Sequence, residues 1–316
     1  MRLDDSNDLN VVDQGRGGGS FGGFGGGGYG SGGGGGNLLF MFLPMLFSRL
    51  GCFGTAIVVG LFFLFSGGLG GIGSMLGGGS GYAPAVQQGA PVAANRGDAA
   101  SICASDPSKR LACNVMANVN RTWAQLIPNY QRPTLQFYTS RGQSGCGAAQ
   151  SAMGPFYCPA DQGVYLDVEF FQELTQRFGA PGDAAQAYVV AHEVGHHVQN
   201  LLGTSDKVSR AQQQAGRLQA NRLSVLLELQ ADCYAGVWVA HARNPDGSAV
   251  MEPGDAQEAL RAASAIGDDT LQKETQGRVV PESFTHGTSA QRQYWLNRGM
   301  STGDPRQCDT FAVSAS

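Results

Sequence analysis

Charge is scarce in this chain. Only 15% of its 316 residues are charged, and the formal net charge is -4. That mild acidity gives no electrostatic footprint for nucleic acid or for a polybasic contact with a membrane surface. Lys and Arg are missing altogether between Arg49 and Arg96. No C-x-x-C pair occurs, which argues against zinc held by thiolates. No internal repeat is present either.

Glycine, by contrast, is abundant and unevenly placed, with more than half of the 48 glycines before residue 83. Residues 1–36 therefore read as a flexible Gly-rich tail. Residues 37–76 read as a membrane anchor. Its core, 50–72, is an uncharged apolar run long enough to span a bilayer as one helix. Arg2, Arg16 and Arg49 precede that run, so the positive-inside rule predicts a cytoplasmic N-terminus and an exported C-terminal part. The expected location is the inner membrane of a bacterial cell, single-pass, with the domain periplasmic or extracellular. Residues 77–98 read as a linker, and 99–316 as one globular domain.

Seven cysteines are present, and the six beyond Cys52 suit disulfides in an oxidising compartment. By position, Cys146 pairs with Cys158, Cys233 with Cys308 and Cys103 with Cys113, although other connectivities remain open.

Within the domain, 109–126 carries helical periodicity and stops before Pro128. TLQFYT at 134–139 is strand-like, and the runs 154–158 and 163–168 predict a hairpin. Asp183 is the expected N-cap of a helix ending at Gly203. A long helical pattern follows over 207–242, with shorter ones over 255–266 and 289–298. Strands before helices predict an α+β fold.

The chemistry lies in A-H-E-V-G-H-H-V-Q-N. Residues four apart share a helix face, so His192 and His196 can aim ring nitrogens at one ion. Glu193 stands beside that ion as a base for water. A catalytic zinc takes three protein ligands and keeps one position open. The spacing that would place a third His on the same segment meets Gln199 and Leu202 instead. Glu228, in E-L-Q-A-D among apolar neighbours, is the better third ligand, because a carboxylate there is costly unless paired or metal-bound. Asp232, four residues on, suits the second ring N–H of a ligand His, with a ligand role as the variant.

HEVGHHVQ, ELQADCYAGVW, GCG…GPFYCPAD…VYLD and FTHGTSAQR resemble the bacterial neutral zinc metallopeptidase family over residues 115–312. The resemblance implies a single-span protein with an exported zincin-type domain, one zinc ion per chain, His192, His196 and Glu228 as ligands, and Glu193 as the base. The fold expected is a small antiparallel sheet with an HExxH helix and a second ligand-bearing helix.

His286, Arg292 and Tyr294 are candidates to stabilise a transition-state oxyanion, with a helix-start role for His286 as the alternative. His197 points to a core role and His241 to a helix end. The expected partner is a peptide or protein in extended form, paired with the edge of strand 163–168. The competing function is a non-catalytic envelope scaffold whose zinc is closed by a fourth ligand such as His286, or a chaperone-like role.

Overall fold

The structure is a computed structural model, and it describes residues 1–5, 9–16 and 98–313. The expected span 50–72, the Gly-rich part of the tail and nearly all of the linker lie outside those residues.

A mixed sheet forms one layer. Strand β2 (Thr134–Thr139) buries Leu135 and Phe137 on one face, and Tyr138 is buried on the other. Parallel to it on one side runs β6 (Gly163–Asp167), and β5 (Phe156–Cys158) pairs antiparallel with β6 as the expected hairpin. The hairpin of β3 (Arg141–Ser144) and β4 (Gly147–Gln150) turns off the end of β2. The order is β4-β3-β2-β6-β5, so the sheet is mixed rather than antiparallel. All five residues of β6 are buried. It is an interior strand, not the open edge expected of 163–168, and its nearly unbroken apolar run fits coverage on both faces.

The expected free tail is partly a sixth strand. Residues Val11–Arg16 form β1, which lies parallel to β2 in the register Val11↔Leu135 to Asp13↔Phe137. The Gln14 side chain completes the ladder, donating to the Gln143 carbonyl at 2.8 Å and accepting from its N–H at 2.7 Å. Asp13 pairs with Lys109 and Asp4 with Arg121, each at 2.6 Å. A single span between β1 and β2 would leave them on opposite faces of a bilayer. The pairing of a cytoplasmic N-terminus with an exported domain is therefore corrected: residues 1–5 and 9–16 belong to the domain's own body.

Helices form the other layer. Helix α1 (Ala99–Ala104) is joined by Cys103–Cys113 to α2 (Pro107–Leu126). Asp106 caps α2 by accepting from the N–H groups of Ser108 and Lys109, with Pro107 at the first position. After α3 (Glu169–Gln176) comes α4 (Asp183–Leu201), whose N-cap is Gly182, so Asp183 is a first-turn acid rather than the cap. The long pattern over 207–242 is two helices, α5 (Thr204–Gln214) and α6 (Arg217–His241), broken at Gly216. Helices α7 (Asp255–Ala265), α8 (Asp268–Gln276), α9 (Ser289–Thr302) and the short α10 (Thr310–Val313) complete the order.

Among the described residues α6 alone is long and apolar enough to cross a membrane, yet it is a core helix. It packs so tightly on α9 that a Cβ on Gly236 would lie 2.1 Å from the Leu296 carbonyl oxygen, and one on Gly299 2.0 Å from that of Cys233. The core between the layers holds Met116, Trp123, Leu135, Leu166, Val190, Val194 and Trp238. Disulfides Cys146–Cys158 and Cys233–Cys308 tie the β3–β4 turn to β5 and the C-terminal segment to α6. Three disulfides point to an extracytoplasmic domain.

Candidate metal centre

Helices α4 and α6 cross where Gly195 meets Ala231. A side chain at Gly195 would bring its Cβ to 2.9 Å from the Ala231 carbonyl oxygen, so the glycine inside HEVGH sets the approach of the two helices. Across that contact one face of α4 carries His192 and His196, and one face of α6 carries Glu228 and Asp232. His192 Nε2 lies 3.2 Å from one Glu228 oxygen and His196 Nε2 lies 3.4 Å from the other. The two imidazoles stand edge to face, with centroids 4.8 Å apart. Zinc bonds of about 2.0–2.1 Å in a tetrahedron separate donor atoms by roughly 3.3 Å, so the three side chains fit that ion. The donor atoms of all three lie within 4.8 Å of one another.

The second ring nitrogens determine which lone pairs face this point. Asp232, fully buried, lies 2.8 Å from His192 Nδ1. A carboxylate only accepts, so Nδ1 carries the hydrogen and Nε2 offers its lone pair. Asp232 also accepts from the Tyr188 hydroxyl at 2.6 Å and from Arg292 Nε and Nη2, both at 2.9 Å. Burial pushes its pKa up, but the Arg292 charge and His192 outweigh burial and hold it at about 2. His196 Nδ1 lies 2.8 Å from Gln199 Oε1.

Glu193 is buried beside His192 and His196. Burial pushes its carboxyl above the ordinary range, against the opposing charges of His192 and His196. A carboxyl in this position is placed to take and return a proton.

The other sequence candidates are distributed differently. Arg292 is buried and turned inward, bonded to Asp232, to Tyr188 at 3.0 Å and to the Ile266 carbonyl at 3.3 Å. It braces the carboxylate behind His192 and is not presented to an oxyanion. Tyr294 is exposed and packs edge-on against Trp295, outside the group around the histidines. His286 is half-exposed, in a loop laid against α6. Next to it, a Cβ on Gly287 would touch Val225 and Leu229, which flank Glu228. Asp268 holds that loop. One of its oxygens accepts from the N–H groups of Thr285, His286 and Gly287 at 2.7–3.0 Å, and the other lies 3.1 Å from His286 Nδ1. His197 is a core residue, bonded to the Gln131 carbonyl and the Tyr157 hydroxyl. His241 reaches the Gly303 carbonyl at 2.7 Å.

Three contributors were not singled out in the sequence: Tyr188, Gln199 and Asp268. Tyr188 stands four residues before His192, the spacing that placed His192 with His196, so its face was readable. Asp268 lies on a different element from the loop it holds, and no local signal marks it.

The sequence model of the family described as "Putative neutral zinc metallopeptidase" matches residues 1–311. Uncharacterized protein YpfJ of Escherichia coli strain K12 is 53% identical over 213 residues, covering 66% of this chain and 73% of that protein. Uncharacterized protein Rv2575 of Mycobacterium tuberculosis strain H37Rv is 47% identical over 221 residues, covering 66% of this chain and 74% of its own length. No solved structure matches. The match begins at residue 1, in keeping with a first strand that is part of the sheet, and it takes in both metal-facing helices, so the chain belongs to the neutral zinc metallopeptidase family.

Proposed function

We propose that this protein is a zinc-dependent peptidase, most simply an endopeptidase, working outside the cytoplasm and attached to a membrane through the apolar residues 37–76. The observation that carries the reading is the convergence of His192, His196 and Glu228 with a buried Glu193 beside them. When bound there, zinc supplies Lewis-acid polarisation of a carbonyl and lowers the pKa of water to near neutrality. Glu193 takes the proton from the attacking water and delivers it to the leaving amine nitrogen. Asp232, locked by Arg292 and Tyr188, keeps His192 in one tautomer. His286, aimed by the Asp268 oxygen at its Nδ1 and protonated on both ring nitrogens, donates a hydrogen bond from Nε2 to the oxygen of the tetrahedral intermediate. An extended peptide is the substrate shape proposed. The open sheet edge for it is β5, whose Tyr157 hydroxyl is bonded to His197 and Asn200 of α4.

The test is metal content and cleavage of an unstructured protein by the full-length chain, with and without a chelator. Stoichiometric zinc with chelator-sensitive cleavage is expected. The Glu193→Gln variant should keep its zinc and lose hydrolysis by roughly 10²–10⁴-fold. Full activity in that variant removes the proposed base, and zinc without any cleavage by the wild type favours a zinc-containing scaffold.

A further inference from the structure

The two ligand histidines are braced in unlike ways. Behind His192 stands a charged network, Asp232 with Arg292. Behind His196 stands a chain of neutral amides, and it does not stop at the first one. Gln199 is fully buried, and its Nε2 lies 2.6 Å from the Leu227 carbonyl and 3.2 Å from Gln230 Oε1. Gln230, also buried, donates from its own Nε2 to the Cys308 carbonyl at 3.0 Å.

The sense of each amide is fixed by chemistry. A backbone carbonyl only accepts, so the Gln230 amide nitrogen must face Cys308 and its oxygen must face Gln199. The Leu227 carbonyl likewise claims the Gln199 nitrogen. Gln199 Oε1 is then left for His196, whose Nδ1 must carry hydrogen and whose Nε2 lone pair must face Glu228. The far end of the chain is anchored twice to α6: Cys308 is bonded to Cys233, and Thr310 donates to the Leu226 carbonyl at 2.6 Å. Leu226 and Leu227 directly precede Glu228. The relay thus joins the helix bearing His196 to the turn bearing the carboxylate ligand.

We propose that Gln199 and Gln230 are positioning residues for the metal, an amide relay that fixes the His196 tautomer and its distance from Glu228 and so sets zinc affinity. This rests on the reading of His192, His196 and Glu228 as the zinc ligands. The experiment uses the full-length chain stripped of metal. Zinc affinity is measured by competition with a chromophoric chelator, and folding is checked by circular dichroism. Met matches Gln in length but lacks both ends of the amide. Gln199→Met is expected to weaken zinc binding by roughly 10–100-fold. Gln230→Met is expected to fall between it and the wild type, because Leu227 still orients Gln199. The visible spectrum of the cobalt-substituted Gln199→Met protein should also change, which loss of packing away from the ligands would not cause. A folded Gln199→Met protein that binds zinc within about threefold of the wild type, against the change expected for an outer-shell partner, overturns the relay. Should that variant fail to fold, Gln230→Met decides: unchanged affinity overturns the relay and weakened affinity supports it. A wild type that binds no zinc removes the metal centre itself, and the relay with it, whereas tight wild-type binding with an indifferent Gln199→Met removes the relay alone.

Discussion

Arg292 shows how far a residue's type can mislead about its role. A cation in the first turn of a helix, downstream of the metal motif, reads as an oxyanion partner, yet its guanidinium is closed on Asp232 inside the core. Removing it should therefore act on stability first. Arg292→Met leaves a buried carboxylate without its cation, and a loss of about 3–5 kcal/mol is expected in denaturant unfolding of the metal-free protein. An unchanged midpoint would mean the pair is not formed. Asp268 gives a pH signature. Burial works against its charge, but the His286 hydrogen bond and the loop N–H groups hold its pKa below the ordinary 3.8. Its contribution is then present above that value and is lost as pH falls through the lower folded value. His286 is raised, with burial opposed by Asp268 and the Glu228 charge, so its share is present below the ordinary 6.5 and is lost as pH rises through the raised value. The melting temperature should fall on the acid side in the wild type and fall less steeply in Asp268→Asn. Identical acid limbs would count against the bond. The convergence of His192, His196 and Glu228 was legible because His192 and His196 are set four apart on one helix and Glu228 stands among apolar neighbours on another. Gln199, three residues after His196, carries the same spacing signal, but its use depends on a carbonyl of another helix.

At the level of elements, periodicity predicted the bounds of β2 and the existence of the helices that carry His192, His196 and Glu228, because burial on one face writes itself into local sequence. The order of strands was not legible. Register and neighbours are decided between segments far apart, and so β6 was expected at an edge it does not occupy. Close helix crossings were not legible either, since a glycine inside a helix looks like a weak point until its partner is known. Gly299→Ala should lower stability by about 1–3 kcal/mol or more through overpacking against Cys233. Gly195→Ala should additionally loosen zinc, because α4 must move away from Ala231 and thus from Glu228. A Gly195→Ala protein with wild-type zinc affinity would show that the crossing tolerates the shift.

For the whole molecule, the composition shift separated the Gly-rich stretch from the domain, but it also placed residues 1–5 and 9–16 with the tail, whereas they pack with the domain. A polar segment beside a Gly-rich tract carries no sign that a strand waits for it elsewhere. The compartment of those residues can be measured. Arg2 has a largely exposed side chain, so a cysteine placed there is reachable without unfolding the sheet. In intact spheroplasts a membrane-impermeant maleimide should label Arg2→Cys above the background set by Cys52. Labelling only after lysis would place β1 away from β2 in the cell.

The same strand sets an order of events during synthesis. Gln14 and its partner Gln136 are 122 residues apart, and chains grow at about 5–20 residues per second, so the ribosome finishes β1 several seconds before β2 exists. Throughout that interval the first strand has no place to go. When the β2 edge finally forms, nothing in its backbone distinguishes its own chain's opening residues from those of a neighbour, which makes exchange of β1 between two molecules the natural failure of this fold at high concentration.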